Sequence, residues 1–197
     1  MTPAAVVPLG VHTSQAVFRV LLDTLARPGT VRALPSSWVS LGLPPALCLP
    51  MALADLGVNV AVVGDDGSWA RHLAAATGAT VTEPADAWTV SCLTPLTADV
   101  VETLPIGTAE IPEAGARLCV TVDSLGTGPV ELTLSGPGVP GRHLLAVDGI
   151  DPEALDALAV ANGFFPAGID TWLVTPDGEI AALSRSTRVE RHPRRSC

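Results

Sequence analysis

Residues 170–183 constrain this chain more than any other stretch. Trp172-Leu173-Val174-Thr175 is apolar and rich in strand formers, Pro176-Asp177-Gly178 is a turn, and Ile180-Ala181-Ala182-Leu183 is apolar again. Two such runs joined by an Asp-Gly turn predict a β-hairpin. Asp170 opens the first strand, and the turn brings Arg185, Arg188 and Glu190 back towards the same end. A carboxylate and two arginines on a stiff ribbon make either a structural ion-pair network or an anion site.

The remaining composition narrows the class. A chain of 197 residues fits one domain, 1–197, and can bury roughly 70% of its unfolded surface without a disulfide or metal staple. No apolar run approaches the roughly 20 residues that span a bilayer. The start, Met1 to Pro8, has neither a basic region nor a continuous apolar core, which argues against a secretory signal. A net charge of −9 argues against nucleic acid, whose affinity comes from clustered positive charge. The basic residues that do cluster are Arg185, Arg188, Arg191, Arg194 and Arg195, and the last three read as a solvated tail. Residues 1–10 and 191–197 read as loose termini. Cys48, Cys92, Cys119 and Cys197 are scattered, with no metal or iron–sulfur spacing. A reduced cytoplasmic protein is the simplest account. All eleven basic residues are arginine. Without a lysine, neither a P-loop nor a pyridoxal phosphate Schiff base can form in its standard way.

In chain order, Thr13 or Ser14 can cap a helix whose apolar positions are Val17, Phe18, Leu21, Leu22 and Leu25, all read as core; Arg19 reads as solvated or ion-paired. Pro28-Gly29 stops it. Thr30 to Leu34 is extended, and Pro35-Ser36-Ser37 and Gly42 to Pro45 read as loop. Ala46 to Leu56 reads as a helix that Pro50 delays or kinks. Asn59 to Val63 reads as a buried strand. Asp65 and Asp66 read as turn chemistry rather than metal ligands, and Ser68 as the cap of the helix to Ala76. Ala79–Thr82 and Trp88–Cys92 are short strands, and Thr97 can cap a helix from Ala98 to Leu104. The loop Gly107 to Ala116 is either a connector or a site loop in which Glu110 and Glu113 do acid/base or ligand work. Arg117–Val122, Val130–Leu134 and Arg142–Val147 are strands, with a tight corner at Ser135-Gly136-Pro137-Gly138. Asp151-Pro152-Glu153 opens a helix that Asn162-Gly163 ends. His12, His72 and His143 show no partner pattern. The sum is a three-layer α/β/α fold with a mixed sheet and a C-terminal hairpin.

Four stretches together carry a family resemblance. They are Phe18-Arg19-Val20-Leu21-Leu22 with Arg27-Pro28-Gly29; Gly107 to Ala116; Leu134 to Gly138; and Phe165-Pro166-Ala167-Gly168-Ile169-Asp170 with Leu183 to Glu190. In this order they resemble the PhnH family, the H subunit of the carbon–phosphorus lyase system. The family's terminal motif reads Leu-Pro-Arg-Thr-Thr; here Ser184 takes the place of the proline and Ser186 that of the first threonine.

The resemblance implies a fold like the large domain of pyridoxal phosphate-dependent transferases, without that cofactor. It implies a complex with the G, I and J subunits, and a homodimer when alone. It also implies a part in forming ribose 1-methylphosphonate 5-triphosphate from ATP and methylphosphonate with release of adenine. Such chemistry asks for arginines on phosphonate and triphosphate oxygens and a carboxylate near the sugar. Arg185, Arg188, Asp170, Glu110 and Glu113 are the candidates; no strong acid for the departing adenine is evident. The resemblance therefore implies an accessory subunit in possible contact with phosphonate or ATP. The alternatives are a scaffold with structural arginines or, leaving the resemblance aside, a stand-alone α/β hydrolase or binding protein; for the hydrolase the G-x-S-x-G elbow is missing.

Overall fold

The computed structural model describes residues 8–192. The segments 1–7 and 193–197, with Arg194 and Arg195 of the expected tail, lie outside the described residues. The helices are α1 (Val11–Ala26), α2 (Ser36–Val39), α3 (Cys48–Leu53), α4 (Ser68–Thr77), α5 (Ala98–Thr103) and α6 (Pro152–Ala161). The strands are β1 (Arg32–Ala33), β2 (Asn59–Val63), β3 (Thr80–Val81), β4 (Thr89–Cys92), β5 (Arg117–Thr121), β6 (Ser124–Ser135), β7 (His143–Asp148), β8 (Asp170–Val174), β9 (Glu179–Leu183) and β10 (Arg188–His192). No helix among them is long and apolar enough to cross a membrane.

Seven strands form the main sheet in the order β1-β9-β8-β5-β4-β2-β3. Neighbours from β3 to β8 run parallel, and β9 runs antiparallel to both β8 and β1. Side chains alternate across a strand, so each strand serves two cores. Cys119, Trp172, Val174, Ile180 and Ala182 pack against residues of α1, α2, α3 and α4. Leu118, Val120, Leu173, Ala181 and Leu183 face the other way, into a core that includes α5, α6 and a second, three-stranded sheet. Each leucine fully buried there contributes about 1.5–3 kcal/mol. Trp172 also anchors α1 through its indole N–H, which donates to Leu21 O at 3.1 Å and Thr24 Oγ1 at 3.2 Å.

The second sheet, β10-β6-β7, is antiparallel throughout and corrects the single-sheet reading. Two features hid it. The first part of β6 carries Gly126, Thr127, Gly128 and Pro129, all exposed, so it lacks strand alternation. Of the last strand, Arg188 to Glu190 read as the end of the hairpin and Arg191 and His192 as the start of a loose tail. They form one strand of the small sheet instead: Glu190 pairs with Thr133, His192 with Glu131, and Arg191 Nη2 donates to Asp156 Oδ2 of α6 at 2.8 Å.

Other local expectations are corrected too. α1 starts at Val11 with Gly10 as its cap, so Thr13 and Ser14 sit inside the first turn. Of its apolar positions only Val17 and Leu21 are buried; Phe18 and Leu22 are 43% and 54% exposed. Residues 17, 21 and 24 make one face at a spacing of four and three, which rotates 18 and 22 towards solvent. The Pro35-Ser36-Ser37 loop becomes the single turn α2, which puts Trp38 into the core. The helix expected over 46–56 is a 3₁₀ turn, Pro45–Leu47, followed by α3, which ends at Leu53. Pro50 takes the third helical position, where a missing N–H costs no hydrogen bond. Ser68 does not cap α4. Gly67 is the N-cap, and the two aspartates serve the turn: Ser68 N–H donates to Asp66 Oδ1 and Ala70 N–H to Asp65 Oδ2. Thr97 is the N-cap of α5 but makes no side-chain cap bond.

Candidate functional site

The hairpin register builds the site. Thr171 faces Leu183 across β8 and β9, so Asp170 and Arg185 meet just beyond the last pair. Arg185 Nε and Nη2 both donate to Asp170 Oδ2, at 3.0 and 2.8 Å, and the Arg185 backbone N–H donates to Asp170 Oδ1 at 2.9 Å. Nη1 donates to Pro112 O. The two side chains are only 13% and 15% exposed. Arg185 thus ties the start of β8 to the end of β9 and to the 107–116 loop.

Two glycines make room for it. A Cβ at Gly115 would lie 2.3 Å from Gly168 O and 3.1 Å from Arg185 Nη1. One at Gly168, whose φ is +142°, would lie 2.6 Å from Asn162 Oδ1. Asn162 fixes the same segment, accepting from Ile169 N–H at 2.7 Å and donating to Ile169 O at 3.2 Å.

Beyond Arg185 the chain makes a turn, with Thr187 N–H donating to Ser184 O at 2.8 Å. Ser184 Oγ accepts from Ser186 N–H and lies 3.0 Å from Ser186 Oγ. This turn, the corner at Pro137 and the C-terminal half of α6 enclose a cavity of about 410 Å³. Its polar lining includes Arg185, Arg188, Ser186, Thr187 and Thr171; Leu155, Leu158, Leu183, Val189 and Phe165 are apolar parts of its wall. Arg188 is exposed and forms no ion pair among the described residues. The hydroxyls of Thr171 and Thr187, residues 1% and 5% exposed, have no hydrogen-bond partner.

Of the five sequence candidates, Asp170, Arg185 and Arg188 come together. Glu110 and Glu113 are exposed and do not line the cavity; their loop reaches the cluster through the Pro112 carbonyl instead. Sequence reasoning missed Thr171 and Thr187. One signal for Thr171 is a hydroxyl inside an otherwise apolar strand. Elsewhere, His143 Nε2 lies 3.1 Å from Gly29 O, and His72 is buried against Trp69 with both ring nitrogens unpartnered. Burial pushes the Cys92 thiol up to about 12 and raises that of Cys119 as well, so neither is a ready nucleophile. Among the described residues no group of three or more His, Cys, Asp or Glu is placed to hold a metal.

Comparison with known proteins supplies the remaining observation. The family model described as bacterial phosphonate metabolism protein (PhnH) matches residues 8–190. A relative from Rhizobium meliloti, named alpha-D-ribose 1-methylphosphonate 5-triphosphate synthase subunit PhnH, is 30% identical over 190 residues, covering 92% of each chain. HtxG from Stutzerimonas stutzeri, named as a C-P lyase subunit protein, is 39% identical over 84 residues, which span 43% of this chain and 42% of that protein.

Proposed function

The chain belongs to the PhnH family, and on that footing we propose that it serves phosphonate breakdown as an accessory subunit of the complex that makes ribose 1-methylphosphonate 5-triphosphate. The observation that carries this reading is the match to the Rhizobium meliloti subunit over 92% of both chains. In this reading the chain is cytoplasmic, works beside the G, I and J subunits and pairs with itself when they are absent. It keeps the frame of a pyridoxal phosphate-dependent transferase domain without the cofactor; the largely parallel seven-stranded sheet and the missing lysine support that. Bond making at the sugar falls to another subunit, because the cavity offers arginines and hydroxyls but no carboxylate free to act. The Asp170 carboxylate is committed to Arg185 through both oxygens.

Pull-down of the tagged chain from phosphate-starved cells fed methylphosphonate tests the reading. Co-recovery of the other subunits, with adenine release from ATP by the recovered complex, is the expected result. Recovery of the chain alone, together with normal growth on methylphosphonate after deletion of its gene, overturns it.

A further inference from the structure

The chain has three phenylalanines and none is buried: Phe18 is 43% exposed, Phe164 64% and Phe165 66%. The last two are adjacent, and Phe165 belongs to the wall of the cavity that Arg188 also lines. Val160, four residues before Phe164, is 69% exposed. We propose that this apolar surface and the cavity beside it form a docking face for another subunit, which inserts a segment carrying a large apolar side chain beside a carboxylate. The docking face deepens the subunit role proposed above and rests on it.

The extent of the surface points to a protein segment. Phe164 lies between two residues that line the cavity, Gly163 and Phe165, but is not itself part of the lining. A small molecule held inside the cavity would leave Phe164 and Val160 in water, whereas a segment seated over the mouth covers the outer surface and the hollow together. Exposed apolar surface with a polar rim marks such contacts, and aromatic and arginine side chains carry most of their energy. Charge then selects the complement. Asp170 neutralises Arg185, so Arg188, exposed and without an ion pair among the described residues, is the cation left for an incoming group. One carboxylate matches it, accepting two parallel guanidinium N–H bonds. Leu155, Leu158, Leu183 and Val189 bring no further charge, so the rest of the inserted segment is apolar. The face is also held ready. Asn162 accepts from Ile169 N–H and donates to Ile169 O, and Ala167 N–H donates to Phe164 O at 3.1 Å. Aromatics fixed in this way lose little freedom on binding.

Recovery of the tagged full chain from phosphate-starved cells fed methylphosphonate tests the face, with wild type, Phe165→Asp and Arg188→Glu compared side by side. Each variant should lower the yield of the other subunits about tenfold or more. Both residues are exposed, so the melting temperature of the chain alone should stay nearly unchanged. The photocross-linker p-benzoylphenylalanine in place of Phe165 reads the occupant directly. Its cross-link should fall on another subunit, in a segment that sets an Asp, Glu or terminal carboxylate next to a large apolar residue. Wild-type yield from either folded variant overturns the proposal. So does a cross-link to a second copy of this chain, to a segment without a carboxylate, or to nothing. Wild type that recovers no other subunit removes the subunit role and the docking face together. Wild type that recovers them while the variants do so equally removes the docking face alone.

Discussion

Replacing Arg185 with alanine removes three guanidinium hydrogen bonds, two to Asp170 and one to Pro112 O. The Asp170 carboxylate then keeps the backbone N–H of residue 185, a bond alanine preserves. A buried carboxylate stripped of its cation costs about 3–5 kcal/mol. Asp170 is 15% exposed and keeps that amide bond, which places the loss at the lower end, about 3 kcal/mol. The orphaned Pro112 carbonyl adds about 1 kcal/mol. For a chain of this size each kcal/mol lowers the melting temperature by about 2–4 °C, so Arg185→Ala should melt about 8–16 °C below wild type. Asp170→Ala should lose a similar amount, and the double variant should lose less than the sum by more than about 1 kcal/mol. Urea unfolding of the four proteins measures this. An Arg185→Ala protein that melts with wild type, or strictly additive losses, would refute the claim that this pair locks the hairpin to the loop.

Two further variants probe the frame around that pair. Gly115 has φ −67° and ψ 143°, which any residue can adopt, so backbone preference alone makes Gly115→Ala harmless. Its Cβ would nevertheless fall 2.3 Å from Gly168 O and 2.9 Å from Ile106 O; a loss of about 1–3 kcal/mol is expected, and an unchanged urea midpoint would show that these segments do not pack so closely. Asp66 is held below its ordinary 3.8, chiefly by its hydrogen bonds with the Ser68 side chain and backbone. A depressed carboxylate stabilises the fold above its unfolded value and loses that contribution as pH falls through its folded one. The gap in melting temperature between wild type and Asp66→Asn should therefore be constant near neutrality and narrow below pH 3.8; a gap that stays flat into acid would contradict the turn geometry.

Legibility in the sequence followed how local the deciding interaction is. The hairpin could be read because Asp177-Gly178 fixes its turn, where Gly178 has φ +85°. Once the turn is fixed the register follows, and with it the meeting of Asp170 and Arg185. α6 could be read because Asp151 caps it locally, accepting from Glu153 N–H at 2.9 Å. α1 shows the limit. Its apolar residues cover more than one face, and only the position of β8 and β9 decides that Val17 and Leu21 go in while Phe18 and Leu22 stay out. β10 could not be read at all, since its charged side chains are tolerated only because it lies at the edge of the small sheet beside β6.

The same reasoning separates the two arginines, which look equivalent in the run Ser-Arg-Ser-Thr-Arg. Asp170 claims Arg185 because the strand register brings them together, and Arg188 then carries the free charge by elimination. What aims Arg188 is the turn between them. Where the family motif has proline before the first arginine, this chain has Ser184. Its hydroxyl accepts from Ser186 N–H at 3.3 Å and touches Ser186 Oγ, while its carbonyl accepts from Thr187 N–H. A serine side chain closing its own turn restricts the backbone by hydrogen bonding where a proline ring restricts it covalently. Ser184 thus closes the turn through bonds within three residues, and Thr187 and Arg188, which follow, are among the residues that line the cavity.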